Sequence, residues 1–466
     1  MIMENERDFK RIEEEIFKEV LEIGRKKLKG RLEEYDRELR IKRNKAELRH
    51  KGNRNVTIGS IMGDVVVRRS VYVMPDGRRR CLLDEALHLK ENGFASELVC
   101  EKIAGLICTG SYRATAAAIT EMTGLRISHT SVWNIVQSMG ENAAKQEDRN
   151  TKAAKANKGK GTLETPVLFE EQDGIFLPLQ GADREKHGSS KEMKLAIAYD
   201  GWEKKGKNRH ETTNKIAAAS FENAEQFRAR KEGAIASIYN VDEIQWRVLN
   251  ADGAEWAKRS VDSDQVIYQL DPFHRNKAIR EYVPDKEVQS TMFKLLYKKE
   301  IDTLLDYIEA MQNSVDDAAQ KEKYGKLLSY FRNNKDALVS YKRRGIELPP
   351  APEGKEYRQC GTAEGNIFAV LARRMKRCRA CWSIRGGEHL AKLLTLYATN
   401  RLKDNYAVLT KTTYDAQIQK PIQPHCTSAS KVPHSEGKGY TGCPTAQIPN
   451  LPWAKKVFGM KSLSDL

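Results

Sequence analysis

The order of apolar runs between residues 163 and 284 constrains the fold more than any other feature of this 466-residue sequence. Five short runs are rich in aliphatic and aromatic residues, and a helical pattern separates the third from the fourth. The runs lie at 167–169 (continued at 175–179 after the polar residues 170–174), 193–199, 216–221, 244–249 and 266–270. An order of three strands, helix, strand, helix, strand predicts an α/β domain. We expect the first strand to be central and the fourth strand to lie beside it.

Three acidic residues near the ends of these elements form a candidate metal site. Asp173 follows the first strand, Asp252 ends the fourth, and Glu364 opens a later helical segment. Carboxylate oxygens are the ligands that Mg²⁺ prefers, and two such cations about 3.5–4 Å apart can cleave phosphodiesters. Spacing alone leaves alternatives open, because Asp-Gly is a common turn pair. Glu171, two residues before Asp173, competes for the first position.

Residues 1–88 predict a long helix followed by a hairpin. An apolar stripe marks a charged helix over 1–48, and the stripe is either a docking face or, if it pairs with itself, a dimer contact. The stripe consists of Phe9, Ile12, Ile16, Val20 and Ile23. Alternating residues at 53–74 predict a β-hairpin. The turn at 75–77 precedes three arginines that suit either phosphate contact or a solvated loop.

A helix-turn-helix pattern lies within residues 111–139. The first helix ends at Thr123-Gly124, and Ser128 is a suitable N-cap for the second. The second helix should bury Val132 and Ile135 and expose polar side chains that can reach base edges in a major groove. The predicted DNA-binding residues of the pair are Arg113, His129, Thr130, Ser131, Asn134 and Gln137. The alternative is an ordinary helical hairpin.

The charge balance indicates a polyanionic partner. Lysine and arginine total 80 against 64 for aspartate and glutamate, so the net charge is +16, and the basic residues cluster. We therefore expect double-stranded DNA as the partner and a homo-oligomer on it. The sequence contains no run of 18 apolar residues and no secretory signal pattern. These features predict a cytoplasmic, nucleoid-associated protein without membrane contact.

The eight cysteines are too sparse for a disulfide scaffold. Cys378 and Cys381 form a CxxC, but no second pair is evident that would complete a structural zinc site. We expect ordinary reduced cysteines along a helix.

Several motifs resemble those of the ISLre-type insertion-sequence transposases, bacterial relatives of the Mutator-like DDE transposases. They are GSYRATAAAITEMTG, ISHTSVWNIVQ, EEQDGIFLPLQG, LNADGAEW, LDPFHRNKAI and GTAEGNIFAVLARRMKRCRACWSIRGG. The resemblance covers about residues 5–400, and the last motif is the most specific. It implies an RNase H-like catalytic domain with an α-helical insertion before the final glutamate. This agrees with the order of strands and with the helical pattern that follows residue 285.

The resemblance also implies roles for individual residues. The DG of EEQDG corresponds to Asp173, the DG of NADGAEW to Asp252, and the glutamate of GTAEGN to Glu364. These three would bind Mg²⁺ (or Mn²⁺) and catalyse DNA strand cleavage and strand transfer at the ends of an insertion sequence. Asp271 and His274 match the DxFH segment of the family.

Three further residues are candidates for contact with DNA. His274 could contact the scissile phosphate or cap local structure, and Arg374 and Lys376 could bind phosphates or face solvent. Two other functions remain open from the sequence. One is a catalytically inactive, sequence-specific DNA-binding protein derived from a transposase, and the other is a nuclease that cuts without joining.

These patterns divide the chain into eight predicted segments. They are a charged helix (1–50), a β-hairpin segment (51–88), a helix-turn-helix domain (89–142), a linker (143–162), the first part of the RNase H-like domain (163–284), its α-helical insertion (285–348), its final part (349–400) and a loosely ordered tail (401–466). The fold class is therefore an α/β catalytic domain preceded by a mainly α region with a β-hairpin and a helix-turn-helix.

Overall fold

A computed structural model of the chain describes residues 9–90, 93–258 and 265–410. Its helices in these ranges are α1 (Phe9–Lys42), α2 (Leu82–Ala86), α3 (Glu97–Ile107), α4 (Tyr112–Met122), α5 (His129–Lys155), α6 (Gly181–His187), α7 (Ala224–Ala236), α8 (Glu255–Lys258), α9 (Pro272–Tyr282), α10 (Lys286–Lys298), α11 (Ile301–Ser314), α12 (Ala318–Arg332), α13 (Ala363–Asn366), α14 (Arg373–Met375), α15 (Ile384–Ala398) and α16 (Tyr406–Thr410). None of these helices combines the length and the apolar character that a membrane span requires.

The strands form one main mixed sheet and two smaller antiparallel sheets. They are β1 (Arg49–Ser60), β2 (Gly63–Val73), β3 (Arg79–Arg80), β4 (Val167–Pro178), β5 (Ser190–Tyr199), β6 (Trp202–Lys204), β7 (His210–Thr212), β8 (Ile216–Ser220), β9 (Trp246–Ala251) and β10 (Val266–Leu270). The hairpin that alternation predicts is formed by β1 and β2, and β6 pairs with β7.

The long first helix is attached to the hairpin by its C-terminal half. Leu28, Leu32 and Leu39 of α1 pack against the apolar cluster of β1 and β2. The buried Asp36 carboxylate accepts hydrogen bonds from the backbone N–H and the hydroxyl of Ser70 on β2. A buried carboxylate that is fully paired in this way fixes the register of α1 on the hairpin.

The predicted apolar stripe at the start of α1 does not dock on the described part of the chain. Its five side chains, from Phe9 to Ile23, are between 38% and 76% exposed. Among the described residues, the apolar contacts of α1 with the hairpin begin only further along the helix, so the stripe stays a predicted docking face or dimer contact.

The predicted helix pair is present as α4 and α5. Ser111 accepts a hydrogen bond from the backbone N–H of Ala114, and Ser128 accepts one from that of Ser131. Ser128 therefore caps α5 as the sequence predicts, and Ser111 caps α4 in the same way. Val132 and Ile135 are buried, also as expected.

The second helix of the pair is much longer than the sequence predicts. α5 continues to Lys155 and replaces most of the predicted linker at 143–162. Its polar second half is stabilised by tertiary contacts, since Glu147 forms ion pairs with Arg230 of α7 and Lys392 of α15, at 3.0 and 2.8 Å. The segment has no apolar stripe, so periodicity alone did not identify the helix.

The main sheet has the strand order β10-β9-β4-β5-β8. β4 is central and runs parallel to β9 and antiparallel to β5. β10 runs parallel to β9, and β8 is antiparallel to β5. The first and fourth predicted strands are therefore neighbours, as expected, so residues that follow β9 lie beside the middle of β4.

One face of β4 carries polar residues between two apolar clusters. Phe169 belongs to a cluster of aromatic side chains at one end of the strand. Ile175, at the other end, belongs to the core that β4 and β5 share with α3, α4, α5 and α15. Because alternate residues of a strand share a face, Glu171 and Asp173 lie between these clusters.

The C-terminal third follows the predicted helical pattern with one extension. α10, α11 and α12 form a cluster with α9, and a π-helical turn at Ile367–Ala372 joins α13 to α14. α16 occupies the beginning of the predicted loose tail, where the side chain of Asn142 donates to the carbonyl of Leu409. That part of the tail prediction is wrong because the buried Leu402 and Leu409 attach it to the core. Residues 411–466 lie outside the described residues.

The close approach of α5 and α15 requires a residue without a Cβ at position 140, and this requirement can be tested. A Cβ at this position would lie 2.3 Å from Cβ and 2.6 Å from Cα of His389, so the helices would have to separate. We expect Gly140→Ala to lower the free energy of unfolding by about 1–3 kcal/mol through overpacking. The decrease should appear as a lower thermal midpoint in differential scanning fluorimetry.

Gly30 provides the matched control for this substitution. It lies in α1, and a Cβ there would meet nothing within 4 Å. Gly30→Ala should therefore leave the midpoint unchanged or raise it slightly, since alanine favours helix by about 1 kcal/mol. Equal midpoints for the two variants would show that α5 and α15 do not pack as described.

Candidate metal-binding active site

Asp173 lies at the point where β4 loses one of its two neighbours. β4 pairs with β9 only as far as Gln172, whereas its pairing with β5 continues to Pro178. Asp173 is therefore inside the strand and not after it, which corrects the sequence prediction. The side chain is buried, and its Oδ1 accepts the backbone N–H of Gly174 at 2.7 Å.

Asp252 immediately follows β9, as the sequence predicts. Its Oδ1 accepts the backbone N–H of Ala254 at 2.9 Å, and its carbonyl accepts the hydroxyl of Tyr330 at 2.7 Å. The next residue, Gly253, has a φ of +93°, and a Cβ there would lie 3.0 Å from the Tyr330 ring. The glycine of this Asp-Gly pair is thus required by both backbone conformation and space.

His274 is placed by the helix that follows β10. Asp271 is the N-cap of α9 and accepts the backbone N–H of His274, and Pro272 occupies the first helical position. Aspartate at the N-cap followed by proline is a favourable start for a helix. The DPFH sequence therefore fixes a turn that orients the imidazole toward the middle of β4, where Asp173 lies.

Two carboxylates and this imidazole converge. One ligand atom each from Asp173, Asp252 and His274 lie within 4.8 Å of one another. The Nε2 of His274 is 3.6 Å from Oδ2 of Asp173, and within the described residues this buried nitrogen has no hydrogen-bond partner. A buried polar atom without a partner faces a place where an ion or water can bind.

The pKa values of the cluster show how its charges interact. Burial raises the pKa of Asp252, and the neighbouring Asp173 carboxylate raises it further. Burial lowers the pKa of His274, but the nearby carboxylate of Asp173, with those of Asp271 and Asp252, outweighs burial and leaves the pKa above its ordinary value. The shift of His274 therefore reflects the negative charge of the carboxylates around it.

Glu364 lies beside this cluster and is not part of it. Its carboxylate is 4.0 Å from Nε2 of His274, and its side chain is 53% exposed. The predicted trio is therefore only partly assembled: Asp173 and Asp252 meet, and His274 occupies the third position of the convergent set.

Glu171 is a buried anchor for the segment that leads to Glu364. Its carboxylate accepts the backbone N–H groups of Gly361, Thr362 and Ala363 and the hydroxyl of Thr362. Tyr199 and Asn250 donate to it as well. Burial raises the pKa of Glu171, and the hydrogen bonds from Thr362 and Tyr199 oppose this rise. All these donors leave no free position for a ligand, so Glu171 does not replace Asp173.

The buried side chain of Asn250 links Glu171 to α9, the helix that carries His274. The side-chain nitrogen of Asn250 donates to Glu171 at 3.0 Å and to Asp271 at 2.9 Å, and its oxygen accepts from Gln269. Sequence reasoning missed Asn250. A single amide in the apolar run of β9, two residues before Asp252, was the available signal.

The residues of α4 and α5 that are predicted to contact DNA fall into two groups, exposed and buried. Five of these residues are exposed, namely Arg113, His129, Thr130, Ser131 and Asn134. Gln137 is buried, with its Oε1 3.0 Å from Nδ1 of His389. The prediction of DNA contact by Gln137 is wrong, because α5 turns that side toward α15.

Arg374 and Lys376, the predicted phosphate contacts, also differ in their surroundings. The Nε of Arg374 donates to the carbonyl of Ile107, and its guanidinium lies over the rings of Tyr112 and Trp382, at 5.7 and 5.4 Å. These contacts give Arg374 a role in packing the helices, so it does not simply face solvent, and its contact with phosphate stays a prediction. Lys376 is exposed.

The cysteines show no disulfide among those that the structure describes. Cys81, Cys100, Cys108 and Cys360 are free and buried, and Cys381 is free and exposed.

The anchoring role of Glu171 can be tested on the protein without any bound ligand. Glu171→Ala removes the acceptor of buried backbone N–H groups at 361–363, which should cost at least about 2 kcal/mol. Amide hydrogen exchange at 361–366 should accelerate, as measured by mass spectrometry. Glu164→Ala, at an exposed position just before β4, should leave exchange there unchanged. Unaltered protection in Glu171→Ala would contradict the anchoring role.

Comparison with known proteins places the whole described fold in one family. The family model that matches the chain is described as "Uncharacterised protein family (UPF0236)" and matches residues 2–407. A protein of Streptococcus gallolyticus, described as "UPF0236 protein in vanSb 3'region", is 25% identical over 357 residues, which are 74% of this chain and 72% of that protein. Because the family model matches most of its length, the chain belongs to the uncharacterised protein family UPF0236.

Proposed function

We propose that this protein is a metal-dependent DNA transposase of the DDE type, which binds the ends of an insertion sequence and catalyses strand cleavage and strand transfer. The observation that carries the proposal is the convergence of Asp173 and Asp252 from adjacent parallel strands, with His274 beside them. Paired carboxylates at one sheet edge are the arrangement that two-metal phosphodiester chemistry uses. The motif resemblance to ISLre-type transposases points to the same residues.

The sheet supports an RNase H-like fold for the catalytic part. Numbered by their order in the chain, the five strands follow 5-4-1-2-3, with the second strand antiparallel to the first. The helical block α10–α12 lies between the second aspartate and Glu364, where the resemblance expects an insertion. The proposal of an RNase H-like fold rests on the strand order and on the position of this helical block together.

The donor set fits a hard divalent cation. Asp173 and Asp252 supply carboxylate oxygens, which Mg²⁺ and Mn²⁺ prefer, and the unpartnered Nε2 of His274 adds a nitrogen that Mn²⁺ tolerates. Glu364, close to His274 and largely exposed, is positioned to serve as the third carboxylate. When bound, the metal supplies activation of the attacking oxygen and stabilisation of the leaving oxygen.

The surrounding residues would keep this site in place. Asp271 caps the helix that carries His274, and Glu171 holds the backbone that precedes Glu364. Asn250 connects the two. Because these supports are buried, the ligand side chains are oriented before any substrate binds, which reduces the reorganisation needed for catalysis.

DNA binding would use the exposed residues of α4 and α5. Arg113, His129, Thr130, Ser131 and Asn134 present one charged and four polar side chains near the turn between the helices. The net charge of +16 favours the phosphate backbone. The unpaired stripe of α1, from Phe9 to Ile23, favours self-association on DNA. A transposase of this kind would work in the cytoplasm at the nucleoid.

The decisive experiment removes one carboxylate. Asp252→Asn should retain binding to duplexes carrying the sequences that flank the gene, yet lose Mg²⁺- or Mn²⁺-dependent cleavage and joining by at least about 100-fold. Cleavage and joining are measured with end-labelled duplexes on denaturing gels. Asp76→Asn is the matched control, because Asp76-Gly77 is another Asp-Gly pair, located in an exposed turn, and it should cleave like the wild type.

The same assay separates the alternatives. Cleavage by Asp252→Asn at the wild-type rate would refute the assignment of the site. Specific binding without cleavage by the wild type would favour a catalytically inactive DNA-binding protein. Cut ends without joined products would favour a nuclease.

A further inference from the structure

The first helix of the insertion carries a line of lysines on one exposed face. Lys286, Lys294 and Lys298 of α10 are spaced by eight and four residues, so they lie on the same side of the helix. All three are exposed. With Phe293 and Tyr297 they border a shallow groove of about 440 Å³. We call this surface the α10 basic stripe.

Two arginines from neighbouring elements extend the stripe. The guanidinium of Arg280, at the end of α9, lies 5.6 Å from the centre of the Phe293 ring. That of Arg343 lies 5.0 Å from the centre of the Tyr297 ring and donates to the Tyr297 carbonyl. Five cationic groups thus surround two aromatic rings. Such stacking holds the arginines in place, although their charge remains available to an anion.

Few acidic groups offset this charge. Glu300 lies 3.9 Å from Lys298 in an exposed pair, which contributes little in water. Glu287, on α10 itself, is seven and eleven residues before Lys294 and Lys298, so it lies on the same side of the helix and offsets part of their charge. Tyr297 is 76% exposed, an unusual position for a large aromatic side chain in a monomer. Cations beside an exposed aromatic ring fit a nucleic acid, whose phosphates and sugars offer partners for both.

Arg280, at one border of the stripe, is on the same helix as His274 of the carboxylate site. His274 is in the first turn of α9 and Arg280 is in its last turn. Six helical residues separate them by about 9 Å along the axis and about 120° around it. DNA that places a phosphodiester at Asp173 and Asp252 would therefore have its flanking segment within reach of the stripe.

We propose that the α10 basic stripe binds the phosphate backbone of duplex DNA next to the cleaved bond. The lysines neutralise phosphates without reading the sequence, so this surface supplies affinity and orientation, whereas α4 and α5 supply recognition. The inference rests on the proposed function for the identity of its ligand. It assigns a DNA-binding role to the helical insertion, whose Tyr330 also donates to the carbonyl of Asp252.

The test measures the salt dependence of DNA binding. A triple variant, Lys286→Ala with Lys294→Ala and Lys298→Ala, is titrated against a fluorescent 40-base-pair duplex of mixed sequence. Titrations run without divalent metal at KCl concentrations from 50 to 200 mM. Loss of three phosphate contacts should reduce the slope of log K against log[KCl] by about 2–3. Affinity at the lowest salt concentration should fall at least about tenfold.

The matched control changes three lysines elsewhere in the same helical block. Lys321, Lys323 and Lys326 are exposed on α12 and are interrupted by Glu322. Their triple alanine variant has the same net charge as the first, so general charge loss affects both equally. Thermal midpoints of both variants should match the wild type, because every substituted side chain is exposed.

Each result has one consequence. Equal slopes for the two triple variants, or a slope unchanged from the wild type in the α10 variant, would overturn the proposed role of the stripe. That outcome would leave the transposase proposal intact, since metal-dependent cleavage by the wild type tests it separately. A reduced slope in the α10 variant, together with a wild-type protein that never cleaves DNA, would support the stripe and refute the catalytic proposal.

Discussion

The candidate site depends on the hydrogen bonds that the carboxylate of Glu171 accepts. It joins the middle of β4 to the backbone at 361–363, which is about 190 residues later in the chain. A buried carboxylate is unfavourable unless donors surround it, and here backbone amides, a threonine, a tyrosine and an asparagine do so. Because Ala363 begins the helix that carries Glu364, this one side chain decides where the third candidate carboxylate can be.

The candidate site brings two carboxylates and one imidazole together in a partly buried position. Burial raises the pKa of Asp252, and the neighbouring carboxylate of Asp173 adds to this rise. His274 compensates for part of this charge, and the carboxylates keep its pKa above the ordinary value although burial acts against them. A divalent cation would compensate for it more completely.

The N-terminal helices and the sheet share one core. α3, α4 and α5 contribute to the same apolar cluster as β4, β5 and α15. Gly140 allows α5 and α15 to touch, and Gln137, on the same helix, contacts His389. In the proposed transposase, this continuity would couple the helices that contact DNA to the sheet that holds the carboxylates, without a flexible linker between them. It also explains why a helix side that looks polar in sequence is turned inward.

The sequence by itself determined the local features. Apolar alternation identified the hairpin and the five main strands, N-capping serines located α4 and α5, and Asp-Gly pairs marked Asp173 and Asp252. Only the tertiary structure decided which side chains meet. Glu171 became an anchor, His274 joined the aspartates in place of Glu364, and the predicted linker became helix through long-range ion pairs. The reason is physical: periodicity reports which residues one element buries, whereas ion pairs and buried hydrogen bonds depend on partners that are distant in the chain.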